Sequence, residues 1–176
     1  EKLLRLSDIN TAVSKTDQKL FKKIYNIRTH LLKNGVEKIN KKKINSKLKL
    51  PKKFIFFPGS YSYYPNKVAI DEIMNHYYNI IIKKFPNYYF VFSGEGLPKI
   101  YSKKNNVKYY GILNENDYFQ TLVKSDFIFL PLANAPGTKI KTLQSLSLNK
   151  IILSSKYAFK GIKIEREDNV FIFKKR

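Results

Sequence analysis

The feature that most constrains this chain is a series of short apolar runs, separated by segments of helical periodicity, that begins at residue 54. The runs are rich in aromatic and β-branched residues, which is typical of strands buried on both faces. They lie at residues 54–57, 88–92, 107–110, 127–130, 151–153 and 170–173. Strands that alternate with helices are joined by right-handed crossovers. The sequence therefore predicts an α/β domain: a Rossmann-like, mainly parallel sheet with helices on both faces.

Helix signals lie between the runs. Asn66 is predicted to cap a long helix, because an asparagine oxygen can accept a hydrogen bond from an N–H of the first turn. Asn114, with Asp117 three residues later, resembles a capping box. Thr138 is predicted to open another helix, which Asn149 can end in the left-handed conformation.

The first 36 residues are interpreted as the end of a preceding acceptor-type domain. Residues 8–13 and 29–32 are predicted strands on either side of an amphipathic helix at 15–25. One strand–helix–strand unit is too small to form a domain alone. Residues 1–36 are therefore expected to complete a domain that lies upstream.

Residues 37–53 are predicted to be a basic interdomain linker, because they carry eight lysines and no regular apolar period. The sheet domain then occupies residues 54–176. The chain starts at Glu1 and stops soon after its last apolar run. We therefore expect part of a longer protein, with the last domain truncated at its carboxyl end.

The formal charge of +21 is of the kind that nucleic-acid-binding proteins carry. The basic residues are 30 lysines and only 4 arginines. Arginine binds phosphate and guanine better, because its planar guanidinium group can donate two parallel hydrogen bonds. Asparagine, isoleucine, phenylalanine and tyrosine are abundant too, so a general compositional drift explains the lysines. A nucleic-acid-binding module built on the lysines of residues 36–53 is the less favoured alternative.

The composition excludes two classes of protein: those built on cysteine and those with a helix that spans a membrane. The chain has no cysteine, so it holds neither disulfides nor metal sites built on thiolates. No apolar run approaches the roughly 20 residues needed to cross a bilayer.

The strongest local signal for a ligand is at residues 135–141. Gly137, Thr138 and Lys139 lie at a predicted helix start, where free N–H groups and the positive end of the helix dipole favour anions. With Lys141, two lysines stand at the same end. This combination suits a phosphate or diphosphate; an ordinary capped helix with two solvated lysines is the alternative.

Gly59 and Ser60 follow the first run, where the missing side chain of the glycine lets backbone approach a ligand. A tight strand-to-helix turn is the structural alternative.

The sequence contains no recognisable set of catalytic residues. His30 and His76 stand apart, and no group of acidic residues and histidines has the spacing of metal ligands. We expect no metal.

Taken in order, these segments resemble retaining glycosyltransferases of family four, which have the two-domain GT-B fold. The resemblance is carried by matches to three strands and loops of the nucleotide-binding half, to its signature helix, and to the last strands of the acceptor domain. The matching residues are 54–60 with Pro65-Asn66, 90–96, 106–112, 125–132 with 137–146, and 12–14 with 34–36. They span nearly the whole chain, which would then be the C-terminal, nucleotide-sugar-binding half of a GT-B enzyme.

The resemblance implies a hexosyltransferase-type activity with a nucleotide-diphosphate sugar, of the UDP or GDP type, as donor and no other cofactor. Its sugar would pass with retention to a glycan or lipid-linked acceptor, in polysaccharide biosynthesis. Catalytic residues would lie upstream of Glu1, so this fragment is expected to be inactive alone. The protein would be cytoplasmic, with peripheral contact to an anionic membrane and no specific nucleic-acid partner.

The resemblance also implies roles for particular residues. The donor diphosphate would be held by the two loops described above, that is, by Gly59, Ser60, Gly137, Thr138, Lys139 and Lys141. Gly111 and Ile112 would contact the nucleobase. Gln144 would contact the ribose, at a position where the family has a glutamate.

Two departures from the family pattern favour an alternative. Gln144 is uncharged, so it would accept hydrogen bonds from the ribose hydroxyls more weakly than the glutamate of the family. Pro136 stands where the family's paired-acid motif has its first glutamate. The alternative is a GT-B domain that binds sugar nucleotides but has lost catalysis.

Overall fold

The computed structural model describes residues 2–133, 138–162, 164 and 169–173. Its first part is the predicted strand–helix–strand unit. Strands β1 (Thr11–Ala12) and β2 (His30–Leu31) pair in parallel on either side of helix α2 (Lys15–Tyr25). Both strands are shorter than predicted, and a short helix α1 (Lys2–Leu6), which the sequence did not predict, precedes them.

The main sheet has six strands, all paired in parallel. They are β3 (Phe54–Pro58), β4 (Tyr89–Ser93), β5 (Val107–Tyr109), β6 (Phe127–Leu130), β7 (Ile151–Ser154) and β8 (Val170–Ile172). Their spatial order is β5-β4-β3-β6-β7-β8. This is the doubly wound order, which reverses between β3 and β6. The predicted Rossmann-like sheet is confirmed, and each predicted run became a strand.

Helices connect the strands. They are α3 (Tyr64–Glu72), α4 (Tyr78–Lys84), α5 (Lys99–Ser102), α6 (Glu115–Lys124) and α7 (Ile140–Ser147). A π-helical turn at Ile73–Tyr77 joins α3 to α4, and 3₁₀ turns lie at Lys41–Lys43 and Lys156–Phe159. Asn114 caps α6 as predicted, and Asn149 follows α7 with φ of 57°.

In the described ranges, no helix is long and apolar enough to cross a bilayer.

The core lies on both faces of β3, which explains its uninterrupted apolar sequence. Phe56 and Phe57 point to opposite faces because side chains alternate along a strand. The Phe56 ring lies 6.3 Å from that of Tyr118 on α6, and the Phe57 ring lies 6.3 Å from that of Phe92 on β4. Phe56, Phe57 and Phe92 are each at most 1% exposed. Full burial of such a side chain contributes about 1.5–3 kcal/mol, so this strand anchors the fold.

The segment of residues 37–53 lies along the sheet domain. Gln120 on α6 donates to the carbonyl of Leu48 (3.1 Å), and the Tyr110 hydroxyl donates to that of Lys49 (2.7 Å). Leu50 packs against the core. The sheet domain therefore fixes the path of this segment. The domain boundaries at residues 36 and 53 stay predictions.

Candidate functional site

The point at which the strand order reverses lies between the carboxyl ends of β3 and β6. In doubly wound sheets this is where ligands bind. Gly59 and Ser60 follow β3, while Thr138 and Lys141 lie beyond β6, at the start of α7. We call these four residues, together with Asn66, the switch-point site. The predicted Gly137 lies outside the described residues, as does Pro136.

The Lys141 ammonium joins the two sides of the switch-point site. Its Nζ donates to Oδ1 of Asn66 (2.8 Å) and lies 4.6 Å from the centre of the Phe57 ring. A Cβ placed on Gly59 would lie only 2.7 Å from this Nζ. Gly59 and Lys141, which the sequence places 82 residues apart, therefore lie against each other.

The charge of Lys141 is poorly compensated. Burial, followed by repulsion from Lys139, lowers the pKa of Lys141 to about 7. No carboxylate of the described ranges pairs with its ammonium. A desolvated cation without a counter-ion is unfavourable. An anion at the switch-point site would relieve this cost, so the site is suited to an acidic ligand.

Asn66 is a site residue that sequence reasoning assigned a different role. The prediction that it caps the helix is wrong, because α3 begins at Tyr64 and its N-cap is Tyr63. Pro65 explains the earlier start, since its fixed φ suits the first helical turn. Asn66 thus lies inside that turn, 7% exposed, and its Nδ2 donates to the carbonyl of Ser60 (3.0 Å). The Pro-Asn pair was the signal that could have found this.

Neighbouring loops hold Gly59 and Ser60 in place. The Gly59 amide donates to the carbonyl of Ser93 (2.8 Å), and the Ser60 hydroxyl accepts from the Glu95 amide (3.0 Å). Gly94 has φ of +111°, and a Cβ there would lie 2.4 Å from the backbone nitrogen of Ser60. The close approach of these two loops therefore requires glycine at position 94.

A cluster of hydrogen bonds around Asp71 ties the loop that follows β3 to helices α3 and α5. Its carboxylate accepts from Tyr61 (2.9 Å), Tyr101 (3.0 Å) and Lys67 (2.7 Å). Burial acts to raise the pKa of Asp71, but the hydrogen bonds from these three groups outweigh it and hold the pKa below its usual value. Tyr61 therefore has a structural role, because its hydroxyl ties the loop after β3 to Asp71.

Thr138 and the start of α7 differ from the prediction. The helix begins at Ile140 with Lys139 as its N-cap, so Thr138 does not cap it. The Thr138 Oγ1 is buried and has no hydrogen-bond partner among the residues that the structure describes. A buried hydroxyl without a partner is costly. It lies three residues before Lys141 in the chain and near Gly161, where an added Cβ would be 3.2 Å from Oγ1, and it is a donor that a ligand could use.

Gln144 lies one turn along α7 from Lys141. Its Oε1 accepts a hydrogen bond from the Tyr118 hydroxyl (2.8 Å). Burial raises the pKa of Tyr118 to about 12, which keeps this hydroxyl protonated as a donor. One lone pair of the amide oxygen is therefore engaged within the protein, while the amide nitrogen keeps its two donors.

Gly111 and Ile112 lie near the same edge of the sheet, after β5. The Gly94 amide donates to the carbonyl of Gly111 (2.7 Å), which joins this loop to the loop packed on Ser60. Gly111 has φ of +62°, and Ile112 is 76% exposed. Ile112 is thus open to solvent and Gly111 is partly exposed, and the loop is linked through Gly94 to the switch-point site.

The histidines are not part of this arrangement. His30 is exposed on β2 and His76 is exposed in the π-helical turn. Within the ranges that the structure describes, no three His, Asp or Glu side chains come close enough together to hold a metal ion.

Comparisons with known proteins find similarity in structure and not in sequence. No family model and no curated protein matches the chain. HepE from Anabaena, solved with UDP and glucose, is 17% identical with a TM-score of 0.64, over 98% of this chain and 53% of HepE. The pneumococcal O-GlcNAc transferase GtfA, solved with UDP and GlcNAc, is 11% identical with a TM-score of 0.60, over 94% of this chain and 34% of GtfA.

A third similar structure is the C-terminal domain of LpcC, a group 1 glycosyl transferase from Francisella tularensis. It is 14% identical with a TM-score of 0.53, over 94% of this chain and 76% of that domain. At such identities the likeness concerns the fold. The six-stranded sheet with its helices matches the Rossmann-like C-terminal domain of GT-B structures. The chain spans about half the length of HepE and about a third of GtfA.

Proposed function

We propose that this chain is the donor-binding half of a nucleotide-sugar glycosyltransferase, joined to the end of its acceptor domain. The observation that carries the proposal is the Lys141 ammonium. It is desolvated and lacks a carboxylate partner in the described ranges, and it lies where doubly wound sheets bind ligands. HepE and GtfA, which have a similar fold, were both solved with UDP.

In this proposal the donor diphosphate lies across the switch-point site. Lys141 supplies a positive charge, Thr138 a hydroxyl donor, and the first turn of α7 its leading N–H groups, which have no carbonyl one turn back within the helix. The missing side chain of Gly59 leaves room for Asn66 and Lys141 beside the backbone that the diphosphate would approach. These groups stabilise the charge that develops on the leaving nucleoside diphosphate, and no metal is needed for this.

The nucleoside would extend from the diphosphate along the carboxyl edge of the sheet. Gly111 and Ile112 are proposed to contact the base, and Gln144 to contact the ribose. A glycan or lipid-linked acceptor would be bound mainly by residues upstream of this chain. Retaining transfer, a cytoplasmic location and peripheral contact with an anionic membrane belong to the same proposal.

Calorimetric titration of the 176-residue chain with UDP and GDP tests this proposal. We expect saturable binding of one of them, at least tenfold weaker in Lys141→Gln, because a hydrogen bond to a charged group contributes about 1.5–3 kcal/mol. Lys99→Gln, an exposed lysine on α5, is the matched control and should keep the wild-type affinity. Absence of binding, or equal loss in both variants, would contradict the proposal.

A second candidate function is sugar-nucleotide binding without catalysis. The hydrogen bond from Tyr118 to the uncharged Gln144 favours it, because this amide is a weaker acceptor for ribose than a carboxylate. The two functions differ in turnover. Incubating the full-length protein with UDP-sugars or GDP-sugars and measuring release of the nucleoside diphosphate, with and without lipid-linked acceptors, separates them.

A further inference from the structure

Asn66 connects the two loops of the switch-point site through both ends of its side chain. Its Nδ2 donates to the carbonyl of Ser60, which follows β3, and its Oδ1 accepts from Lys141 on α7. The lengths are 3.0 and 2.8 Å, and Asn66 is only 7% exposed. A buried amide that bonds at both ends has little freedom to rotate, so Asn66 holds the Lys141 ammonium in one place.

The residues packed around Asn66 and Lys141 leave the ammonium few directions in which it can move. A Cβ on Gly59 would lie 2.6 Å from Nδ2 of Asn66 and 2.7 Å from Nζ of Lys141. The centre of the Phe57 ring lies 4.6 Å from Nζ. An ammonium has three protons to donate. Asn66 takes one, and the other two have no acceptor among the described residues.

The partner of Lys141 is neutral, and this matters for its charge. The groups that face the ammonium are Asn66 from α3 and Phe57 and Gly59 from β3 and its loop. Lys139, just before α7, is the charged group that acts on it, and it is repulsive. An amide therefore orients Lys141 without neutralising it.

We propose that Asn66 is a positioning residue that fixes the Lys141 ammonium without compensating it, so that binding of a nucleoside diphosphate draws a proton from solvent onto Lys141. The inference rests on the proposed function and deepens it. Before binding, a share of Lys141 is neutral, and this share grows as the pH rises above 7. The diphosphate favours the charged form, so proton uptake grows with pH while the affinity falls.

The test is calorimetry with UDP and GDP at pH 6.5, 7.5 and 8.5, in buffers of low and high ionisation enthalpy, which measures protons taken up on binding. Asn66→Asp is nearly isosteric and places a carboxylate beside Lys141, which keeps the lysine charged. We expect it to bind the nucleotide at least tenfold more weakly and to take up fewer protons than the wild type at pH 8.5. Because the terminal phosphate of the nucleotide itself titrates near pH 6, the difference between the two proteins is the quantity compared.

Asn66→Ala is the second variant, and Asn106→Ala is its control. The Nδ2 of Asn106 donates to the carbonyls of Pro86 and Tyr88, at 2.9 Å each, on a loop away from Lys141. We expect Asn66→Ala to weaken nucleotide binding at least tenfold and Asn106→Ala to leave it unchanged. Circular dichroism checks that each variant is folded; if Asn66→Ala is not, Asn66→Asp decides alone.

The outcomes separate this inference from the proposed function. If the wild type binds neither nucleotide, the proposed function fails and the inference fails with it. If the wild type binds but both Asn66 variants keep its affinity and its proton uptake, the positioning role is wrong while the proposed function stands.

Discussion

The hydroxyl of Tyr118 lies 2.8 Å from Oε1 of Gln144, and it joins helix α6 to helix α7 beside the switch-point site. A carboxylate at position 144 could accept this bond on one oxygen and keep the other for a ligand. The amide has only one oxygen. In the proposed function, the residue at position 144 therefore sets how strongly a ribose hydroxyl would be held there.

Gln144→Glu is predicted to strengthen UDP or GDP binding by about fivefold to tenfold, because hydrogen bonds to a charged acceptor contribute more than those to an amide. Calorimetric titration measures the gain. The control ligands are the 2′-deoxy and 3′-deoxy nucleotides, at least one of which should lose most of it. A gain of equal size with both deoxy ligands would mean that position 144 does not contact the ribose.

Lys141→Met is predicted to raise the free energy of unfolding by about 1 kcal/mol at pH 6, because a desolvated charge is removed. The advantage should shrink as the pH rises from 7 to 10. Since the folded-state pKa of Lys141 is about 7 and an unfolded lysine has a pKa near 10.4, the unfolded chain binds more protons in that window. Wild-type stability therefore recovers there.

Urea denaturation at pH 6, 8 and 10 measures this difference. Lys83→Met, at an exposed position on α4, is the control and should shift stability by less than about 0.5 kcal/mol. A Lys141→Met difference that is constant across the three pH values would contradict the prediction.

Gly94→Ala is predicted to destabilise the protein by about 2–4 kcal/mol, through backbone strain and a steric clash together. A Cβ at this position would lie 2.4 Å from the nitrogen of Ser60, at a φ of +111°. UDP or GDP binding should weaken as well, because the Gly59–Ser60 loop must move.

Gly96→Ala is the matched control for the clash. It also has a positive φ, of +81°, but the nearest atom to its Cβ would be the Ser62 nitrogen at 3.8 Å. Its cost should be about 1–2 kcal/mol, from strain alone. Chemical denaturation compares the two, and equal costs would show that the contact with Ser60 is not what requires glycine.

Asp71→Asn is predicted to destabilise the protein by about 1–2 kcal/mol at pH 7, because three hydrogen bonds lose their charged acceptor. The folded-state pKa of Asp71 lies below its usual value of 3.8. Its contribution is therefore present above about pH 4 and is lost as the pH falls through the folded-state pKa.

Thermal unfolding at pH 7 and pH 3 checks this prediction. The difference between Asp71→Asn and the wild type should narrow at the lower pH. Asp8→Asn, at an exposed position, should change little at either pH. A gap that widens on acidification would assign Asp71 the opposite role.

The local spacing of apolar residues predicted the strands and helices well, because it reflects which faces of a segment are buried. The run at residues 54–57 became the fully buried strand β3, and Asn114 caps α6 as its spacing with Asp117 predicts. The helix starts at Asn66 and Thr138 were predicted wrongly by a few residues. Asn66 and Thr138 are residues of the kind that caps helices, whereas the actual caps, Tyr63 and Lys139, make no side-chain capping bond and carry no such signal.

The sequence by itself determined the order of strands and helices, and hence that a parallel sheet would gather several loops at one edge. Only the tertiary structure decided which loops meet. Asn66 and Lys141 are 75 residues apart in the chain, and Asp71 and Tyr101 are 30 apart. The first pair meets because β3 and β6 are neighbours in the sheet, with strand order reversing between them. Hydrophobic periodicity records burial along one segment, whereas the pairing of segments depends on how the whole core packs.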